Sequence, residues 1–271
     1  MSRAVSEHNS TVNWETAIGT RVRAAMASPE MDRYFSMKMT PSRARVALLQ
    51  LSLFVSCRRD CWANLIANCD APPVRQRLME HEYDELVQDE YSSKGHYDLL
   101  VRQGALIGLA AGDFAKVRPL RTSMATFYGW KWIAREGAWQ DGLIAMMATE
   151  WVNDDRRLID QGGGLSRRDG LRWMRDFGYK WEEMPNFAAH AVADEKHGDL
   201  FLPVLPKYVT DHVAALKAAD DALELFKLYH LGVAEAMEEL DRRRHGITKK
   251  FRAKVSKHNI KRIFDGDARR I

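Results

Sequence analysis

The chain has 271 residues, a net charge of +4 at pH 7, 46% hydrophobic residues and 29% charged residues. This composition is typical of a globular protein and excludes collagen-like and disordered classes. The longest apolar run, Val46–Val55, has ten residues, about half of what a transmembrane helix needs. The first fourteen residues lack the apolar stretch of a secretory signal. We therefore expect no membrane partner. The three cysteines, Cys57, Cys61 and Cys69, are odd in number, so we expect no disulfide framework and a cytoplasmic location.

Positive charge is concentrated at the C-terminal end. Residues 242–271 contain twelve Lys or Arg and two Asp, a net +10, which leaves −6 for the rest of the chain. Such a segment could bind phosphates or an acidic partner. Its aromatic residues are Phe251 and Phe264 alone, which do not form a pattern interleaved with the basic residues, and it has no nucleic-acid-binding motif, so we do not expect a nucleic-acid partner. A non-enzymatic helical partner protein that uses this basic tail stays open as an alternative function.

Apolar residues recur at helical spacing along most of the chain, and no convincing strand alternation is present. Proline at helix starts and glycine or proline after helix ends set the expected bounds. The predicted helices span Pro41–Asn68, Val74–Tyr91, His96–Ile107, Arg121–Arg135, Trp139–Asp160, Ser166–Phe177, Pro185–Leu205 and Asp211–Arg244. We therefore predict an all-α fold with one domain over residues 15–245, a flexible N-terminus over residues 1–14 and a basic tail over residues 246–271.

The segment Pro185–Leu200 carries the most informative motif. His190, Asp194 and His197 stand at offsets 0, +4 and +7, which places all three on one face of a helix. Two imidazoles and a carboxylate suit iron or manganese. A solvent-exposed face with accidental spacing is the alternative interpretation.

Two further places add candidate ligands. Asp89 and His96 are seven residues apart and share a face if the helix continues through Ser92–Gly95; if it breaks there, Glu90 competes with Asp89. Glu150 follows Leu143, Met146 and Met147 on an apolar face. A buried carboxylate needs a partner. For Glu150 that partner is a metal ion or an arginine such as Arg156 or Arg157.

Together these positions supply three histidines and three carboxylates. Two divalent ions would nearly cancel the buried negative charge of the three carboxylates. A ferritin-like site requires two Glu-x-x-His units, whereas this sequence has only Asp194-x-x-His197. The ferritin-like bundle is therefore the weaker all-α option.

In this order, Asp89-x6-His96, Glu150 and His190-x3-Asp194-x2-His197 resemble the heme-oxygenase-like di-iron oxidases and oxygenases. The segments Arg58–Asp84, Gly104–Leu109 and Asp194–Leu200 are similar to the pyrroloquinoline-quinone synthase branch of the same fold and its chlamydial relatives. The resemblance covers approximately residues 40–210. That family more often has Glu than Asp at the position of Asp89, and some members use a carboxylate from the preceding helix, a role open to Asp60.

The resemblance implies a heme-oxygenase-like helical bundle and an O2-activating, non-heme di-iron oxidase or oxygenase. It implies two iron ions per chain, Fe(II) or Fe(III), with O2 as co-substrate. A mixed Mn/Fe centre suits the same donors. It further implies an amino-acid-derived or fatty-acid-like substrate, cleavage of C–C or C–N bonds, desaturation or N-oxygenation as the outcome, a homodimer, and use of an external electron donor. The implied metal ligands are Asp89, His96, Glu150, His190, Asp194 and His197.

Two other activities occur on the same fold. A cofactorless oxidase of the quinone-synthase type, acting on an aromatic or quinoid substrate, has no need for six metal-type residues. A thiaminase-like hydrolase needs a cysteine nucleophile late in the chain, and no cysteine follows Cys69. We therefore favour the iron-dependent oxidoreductase.

Overall fold

The computed structural model describes the backbone of residues 12–265 and the side chains of residues 12–240 and 242. Within these bounds the chain is helical and contains no strand, which confirms the predicted all-α class. The α-helices are α1 Trp14–Met26, α2 Pro29–Ser36, α3 Pro41–Asn68, α4 Pro72–Leu86, α5 His96–Ala105, α6 Ala111–Lys116, α7 Arg121–Glu136, α8 Trp139–Glu150, α9 Leu165–Phe177, α10 Pro185–Asp199, α11 Leu205–Tyr208 and α12 His212–Asp265.

The ends of the chain differ from the predicted boundaries. Residues 1–11 of the expected flexible N-terminus lie outside the described residues, and α1 already begins at Trp14. The last helix was expected to end at Arg244, but the backbone of α12 continues as a helix to Asp265. Most of the predicted basic tail is therefore an extension of α12, and residues 266–271 lie outside the described range.

Helix starts follow the expected signals. Thr40 caps α3 by accepting a hydrogen bond from the backbone N–H of Arg43, and Pro41 occupies the first turn. The helix predicted over Trp139–Asp160 is shorter than expected, because α8 ends at Glu150 and three 3-10 turns follow. Asp154 caps the second of these turns: its buried carboxylate accepts hydrogen bonds from the backbone N–H and the guanidinium of Arg156.

The long helices pack in layers around one core. Helix α12 packs against α8, α7, α2, α1 and α3. On the other side, α3 contacts α4, α5 and α8, and α10 contacts α5, α8 and α9. The largest fully buried aromatic side chains are Trp62, Trp130, Trp151, Trp173, Phe201 and Phe226. This packing brings α3, α4, α5, α8 and α10 around one polar region inside the bundle.

No helix among the described residues is both long and apolar enough to cross a bilayer. The three cysteines are buried and carry free thiols.

Candidate metal centre

The turn between α4 and α5 positions the first two site residues. Helix α4 ends at Leu86, and Asp89 Oδ1 then accepts hydrogen bonds from the backbone N–H groups of Tyr91 at 2.9 Å and Ser92 at 2.7 Å. Gly95 follows with φ 70°, and a Cβ there would lie 2.8 Å from Glu85 O. Glycine permits both the left-handed backbone and this close approach. The start of α5 is thereby held against the end of α4.

Glu85 lies at the centre of the polar region and is 5% exposed. Its Oε1 is 3.0 Å from His96 Nδ1 and 3.3 Å from His197 Nδ1, while its Oε2 is 3.1 Å from Arg59 Nη1. Burial alone would raise the pKa of Glu85, but the charge of Arg59 and the two histidines hold it well below the usual range. Glu85 is therefore ionised at neutral pH and faces both histidines with one oxygen.

His96 begins α5 and is held between two carboxylates. Its Nε2 lies 2.8 Å from Asp89 Oδ2, and its Nδ1 faces Glu85. Burial would lower the pKa of His96, but Glu85 and Asp89 outweigh it and raise the pKa to about 9. Asp89 thus orients the ring through Nε2 and leaves Nδ1 directed to the centre, the arrangement commonly found behind metal-binding histidines.

Helix α10 presents the other three candidate ligands. Gln103 of α5 accepts hydrogen bonds from the backbone N–H groups of Asn186 at 3.0 Å and Phe187 at 3.2 Å, which fixes the start of α10 against α5. His190 is half-buried, and its Nδ1 lies 2.9 Å from Asn186 O. Donation to that carbonyl leaves Nε2 of His190 as the ligand nitrogen.

Asp194 and His197 lie one and two turns further along α10 than His190 and are 1% and 2% exposed. Their closest charged atoms, Asp194 Oδ1 and His197 Nδ1, are 3.7 Å apart. Burial would lower the pKa of His197, but Asp194 and Glu85 raise it to about 11. The surroundings of this ring therefore strongly favour positive charge.

Ligand atoms of these residues form two groups that share Glu85. Glu85, His96 and His190 each offer one atom within 4.8 Å of the others, and so do Glu85, Asp194 and His197. We call the first group the inner triad and the second the outer triad. The structure thus brings together four of the six predicted ligands, His96, His190, Asp194 and His197, and adds Glu85.

Unsatisfied buried atoms test whether a metal ion fits here. Both oxygens of Asp194 and the Nδ1 atoms of His96 and His197 are buried without a hydrogen-bond partner. Burying a carboxylate with neither oxygen paired is costly. A cation between these atoms would supply the missing partner, and the mixed oxygen and nitrogen donors suit iron or manganese. The residues present therefore fit a metal ion.

Asp89 and Glu150 lie outside both triads. Asp89 contacts His96 through one oxygen and closes the α4–α5 turn with the other. Glu150 forms a buried ion pair with Arg58 at 2.6 Å and lies 3.3 Å from His81 Nε2. Of the two partners considered for Glu150, a metal ion or an arginine, the structure shows an arginine, and it is Arg58 of α3. Arg156 and Arg157 instead pair with Asp154.

The remaining carboxylates considered for the early ligand also lie elsewhere. Asp60 is exposed and pairs with Lys131 at 2.6 Å. Glu90 is exposed. Glu85 was missed because the helix was expected to continue to Tyr91, which made Asp89 the apparent inward carboxylate. A usable signal was present: Glu85 lies seven residues after the apolar Leu78 and continues its buried stripe on α4.

Two cavities are lined by residues of the centre. Glu85, His190 and Arg59 lie in the wall of the inner cavity. Its apolar lining includes Leu48, Leu51, Phe54, Leu165, Phe187 and Val233. Its polar lining includes Tyr34, Asp169, Arg172 and His230. The outer pocket reaches His197 from the surface and is lined by Asp84, Asp89, Glu90 and Lys196.

No family model matches the chain, and no curated protein matches it either. Solved structures do match. A domain of unknown function from Shewanella denitrificans, described as having a heme oxygenase-like fold, superposes with a TM-score of 0.62 at 13% identity, covering 84% of this chain and 91% of that one. This chain has a heme oxygenase-like fold. The predicted helical bundle of that type is thereby confirmed. At this level of identity the likeness concerns the heme oxygenase-like fold alone.

Proposed function

We propose that the chain is a non-heme iron oxidase or oxygenase that activates O2 and acts on a small organic molecule bound in the inner cavity. The observation that carries this proposal is Asp194, a buried carboxylate with neither oxygen hydrogen-bonded, placed beside Glu85 and His197. The inner triad offers two histidines and one carboxylate, the donor set typical of non-heme Fe(II) oxygenases. Each triad can hold one ion, which gives two iron ions per chain.

Bound ferrous iron would supply the electrons and the open coordination positions that O2 reduction requires. The chain's own residues do the rest. Asp89 orients His96, and the carbonyl of Asn186 orients His190, so that both rings keep a nitrogen directed to the centre. The apolar walls of the inner cavity exclude water from the face of the inner triad.

The inner cavity supports a substrate with both apolar and polar parts. It is lined by apolar side chains and by polar groups that include the buried Arg172–Asp169 pair, whose closest atoms are 2.7 Å apart. An amino-acid-derived or fatty-acid-like molecule fits this pattern, and C–C or C–N cleavage, desaturation and N-oxygenation are the reactions we propose for it. The homodimer and the external electron donor remain predictions.

An anaerobic Fe(II) titration of the purified chain, followed by measurement of O2 consumption, tests the proposal. We expect up to two iron ions per chain and O2 uptake that depends on them. Asp194→Asn keeps the size of the side chain but removes its charge, so iron affinity should fall by about tenfold or more. Glu195→Gln is the matched control, because Glu195 is the next residue of α10 and pairs only at the surface with Arg156.

Unfolding of the metal-free and metal-loaded chain gives a second readout. Asp194→Asn should reduce the stabilisation of the fold by added metal, because it removes a charged ligand from the outer triad. Binding of clearly less than one iron per wild-type chain would overturn the proposal. That result would favour the cofactorless oxidase and a search for aromatic or quinoid ligands.

A further inference from the structure

A second group of buried polar side chains lines the inner cavity, and α2, α9 and α12 contribute it. The group consists of Tyr34, Asp169, Arg172, Tyr229 and His230, all of them buried. The ring centroid of His230 lies 4.9 Å from that of Tyr34 and 4.9 Å from that of Tyr229. We call these five residues the polar cluster.

The polar cluster lies at a different level of α3 from the candidate centre. Helix α3 lines the cavity from Ala47 to Arg59, which is about 18 Å of helix. The His230 ring packs against Phe54 with the centroids 6.4 Å apart, whereas Glu85 contacts Arg59. Phe54 and Arg59 are separated by about 7.5 Å along the helix axis. An elongated molecule in the cavity can therefore contact the centre and the polar cluster with different parts.

The two charged residues of the polar cluster neutralise each other. Arg172 Nη2 donates to Asp169 Oδ1 at 2.7 Å, and Nη1 donates to the backbone oxygen of Tyr34. The other Asp169 oxygen accepts the Tyr34 hydroxyl at 3.0 Å. Of the charged groups' polar atoms, Arg172 Nε alone is buried without a partner. A carboxylate or an ammonium group bound here would therefore meet no unmatched opposite charge.

Tyr229 and His230 provide the neutral polar atoms that are open to a ligand. His230 Nδ1 lies 3.0 Å from Phe226 O, and a carbonyl can only accept, so Nδ1 carries the proton. Burial lowers the pKa of His230 to about 4, so the ring is neutral at pH 7 and Nε2 is an acceptor. Among the described residues, neither His230 Nε2 nor the Tyr229 hydroxyl has a hydrogen bond. The polar cluster thus offers one acceptor beside one hydroxyl donor.

We propose that the polar cluster binds a hydroxyl group of the substrate, which accepts a hydrogen bond from Tyr229 and donates one to His230 Nε2. A hydroxyl group can do both at once, whereas a carboxylate cannot donate to Nε2 and an ammonium group cannot accept from Tyr229. The inference deepens the proposed function, on which it rests only in placing the substrate in the inner cavity. It assigns a neutral hydroxyl group to the part of the substrate remote from the metal ions.

Calorimetric titration of the metal-free chain with straight-chain probes tests the inference without iron or turnover. Octan-1-ol has a hydroxyl group that donates and accepts, whereas 1-methoxyheptane has as many heavy atoms and an oxygen that only accepts. We expect the alcohol to bind at least tenfold more tightly than the ether, because the ether leaves His230 Nε2 unpaired. Equal affinities, or no binding of either probe, would overturn the inference.

Two substitutions test whether Tyr229 and His230 hold the hydroxyl group. Tyr229→Phe removes only the donor and should weaken the binding of octan-1-ol about tenfold. His230→Phe removes the acceptor, so the affinities for the alcohol and the ether should come within about threefold of each other. Tyr128→Phe is the matched control, because Tyr128 is 71% exposed, and it should change neither affinity. Unchanged binding of octan-1-ol to Tyr229→Phe would contradict the assignment.

Octanoate distinguishes a hydroxyl site from an anion site. If the polar cluster does not hold a carboxylate, Tyr229→Phe should leave the affinity for octanoate within about twofold of that of the wild-type chain. An equal loss of affinity for octanoate and for octan-1-ol would overturn the inference. Failure of the chain to bind iron would instead overturn the proposed function, and the results with the metal-free chain would still decide the hydroxyl site.

Discussion

His96 Nε2 lies 2.8 Å from Asp89 Oδ2, while Nδ1 of the same ring lies 3.0 Å from Glu85 Oε1. A carboxylate behind the ring accepts the proton on Nε2, so the proton on Nδ1 is the one that a bound ion would displace. Asp89 therefore contributes to the centre by orienting His96 and not as a ligand itself.

Asp89→Asn tests this relationship. Asn keeps an oxygen for the backbone N–H groups of Tyr91 and Ser92, but it presents an NH2 group to His96 Nε2. The ring must then carry its proton on Nδ1, which blocks the ligand atom. We expect Mn(II) affinity to fall by about 10- to 100-fold without loss of folding. Glu90→Gln is the control, and equal affinities of the two variants would contradict the assigned role.

Gly95→Ala should disturb the centre through the backbone. The new Cβ would lie 2.7 Å from Leu86 O and would require φ 70°. Gly108 is a matched control, because it has φ 74° with no atom within 4 Å of a built Cβ. Gly108→Ala should cost roughly 1–2 kcal/mol for the left-handed backbone. Gly95→Ala should cost at least about 1 kcal/mol more and should also weaken Mn(II) binding; urea unfolding compares the two.

Glu150→Gln separates an ion-pair partner from a metal ligand. Glu150 is buried with Arg58 at 2.6 Å and accepts a hydrogen bond from Trp62 Nε1 at 3.2 Å. Breaking a buried ion pair leaves an uncompensated charge, so we expect a loss of about 3 kcal/mol in the free energy of unfolding. Metal affinity should change little. The exposed Glu136→Gln is the control, and a large drop in Mn(II) affinity for Glu150→Gln would restore Glu150 as a ligand.

His230 should make the fold acid-sensitive. Burial lowers the pKa of His230 to about 4, against about 6.5 in an unfolded chain. The unfolded chain therefore takes up this proton first, and stability falls as pH drops from about 6.5 towards 4. His230→Gln should reduce the loss of unfolding free energy between pH 7 and pH 5 by roughly 2 kcal/mol. Urea unfolding of the metal-free protein at both pH values measures it, and identical losses in variant and wild type would contradict the assignment.

Helical periodicity and punctuation by proline were enough to predict the all-α class and the ends of α3, because Thr40, Pro41 and the Pro72–Pro73 pair act locally. The face shared by His190, Asp194 and His197 was predictable for the same reason. Local sequence signals do not determine where α4 stops. That end depends on the Asp89 turn and on Gly95 packing against Leu86 O, and shifting it by a few residues changes which carboxylate faces inward.

The ion-pair partner of Glu150 could not be predicted from neighbouring residues, for a different physical reason. Arg58 is 92 residues away in the chain, and the two meet only because α3 packs against α8. Arg59 next to it could equally have been a surface residue. Whether a charged side chain on a long helix points to solvent or to a buried acid depends on how its helix is rotated in the bundle, which the sequence of that helix leaves undetermined.

The position of the two triads between the inner cavity and the outer pocket has a practical consequence. His197 lines the outer pocket, whose other walls include acidic residues, whereas Glu85 and His190 line the inner cavity, whose walls are largely apolar. The two metal-type groups therefore line separate cavities, and an organic molecule in the inner cavity would leave the outer pocket open for exchange of an ion at His197.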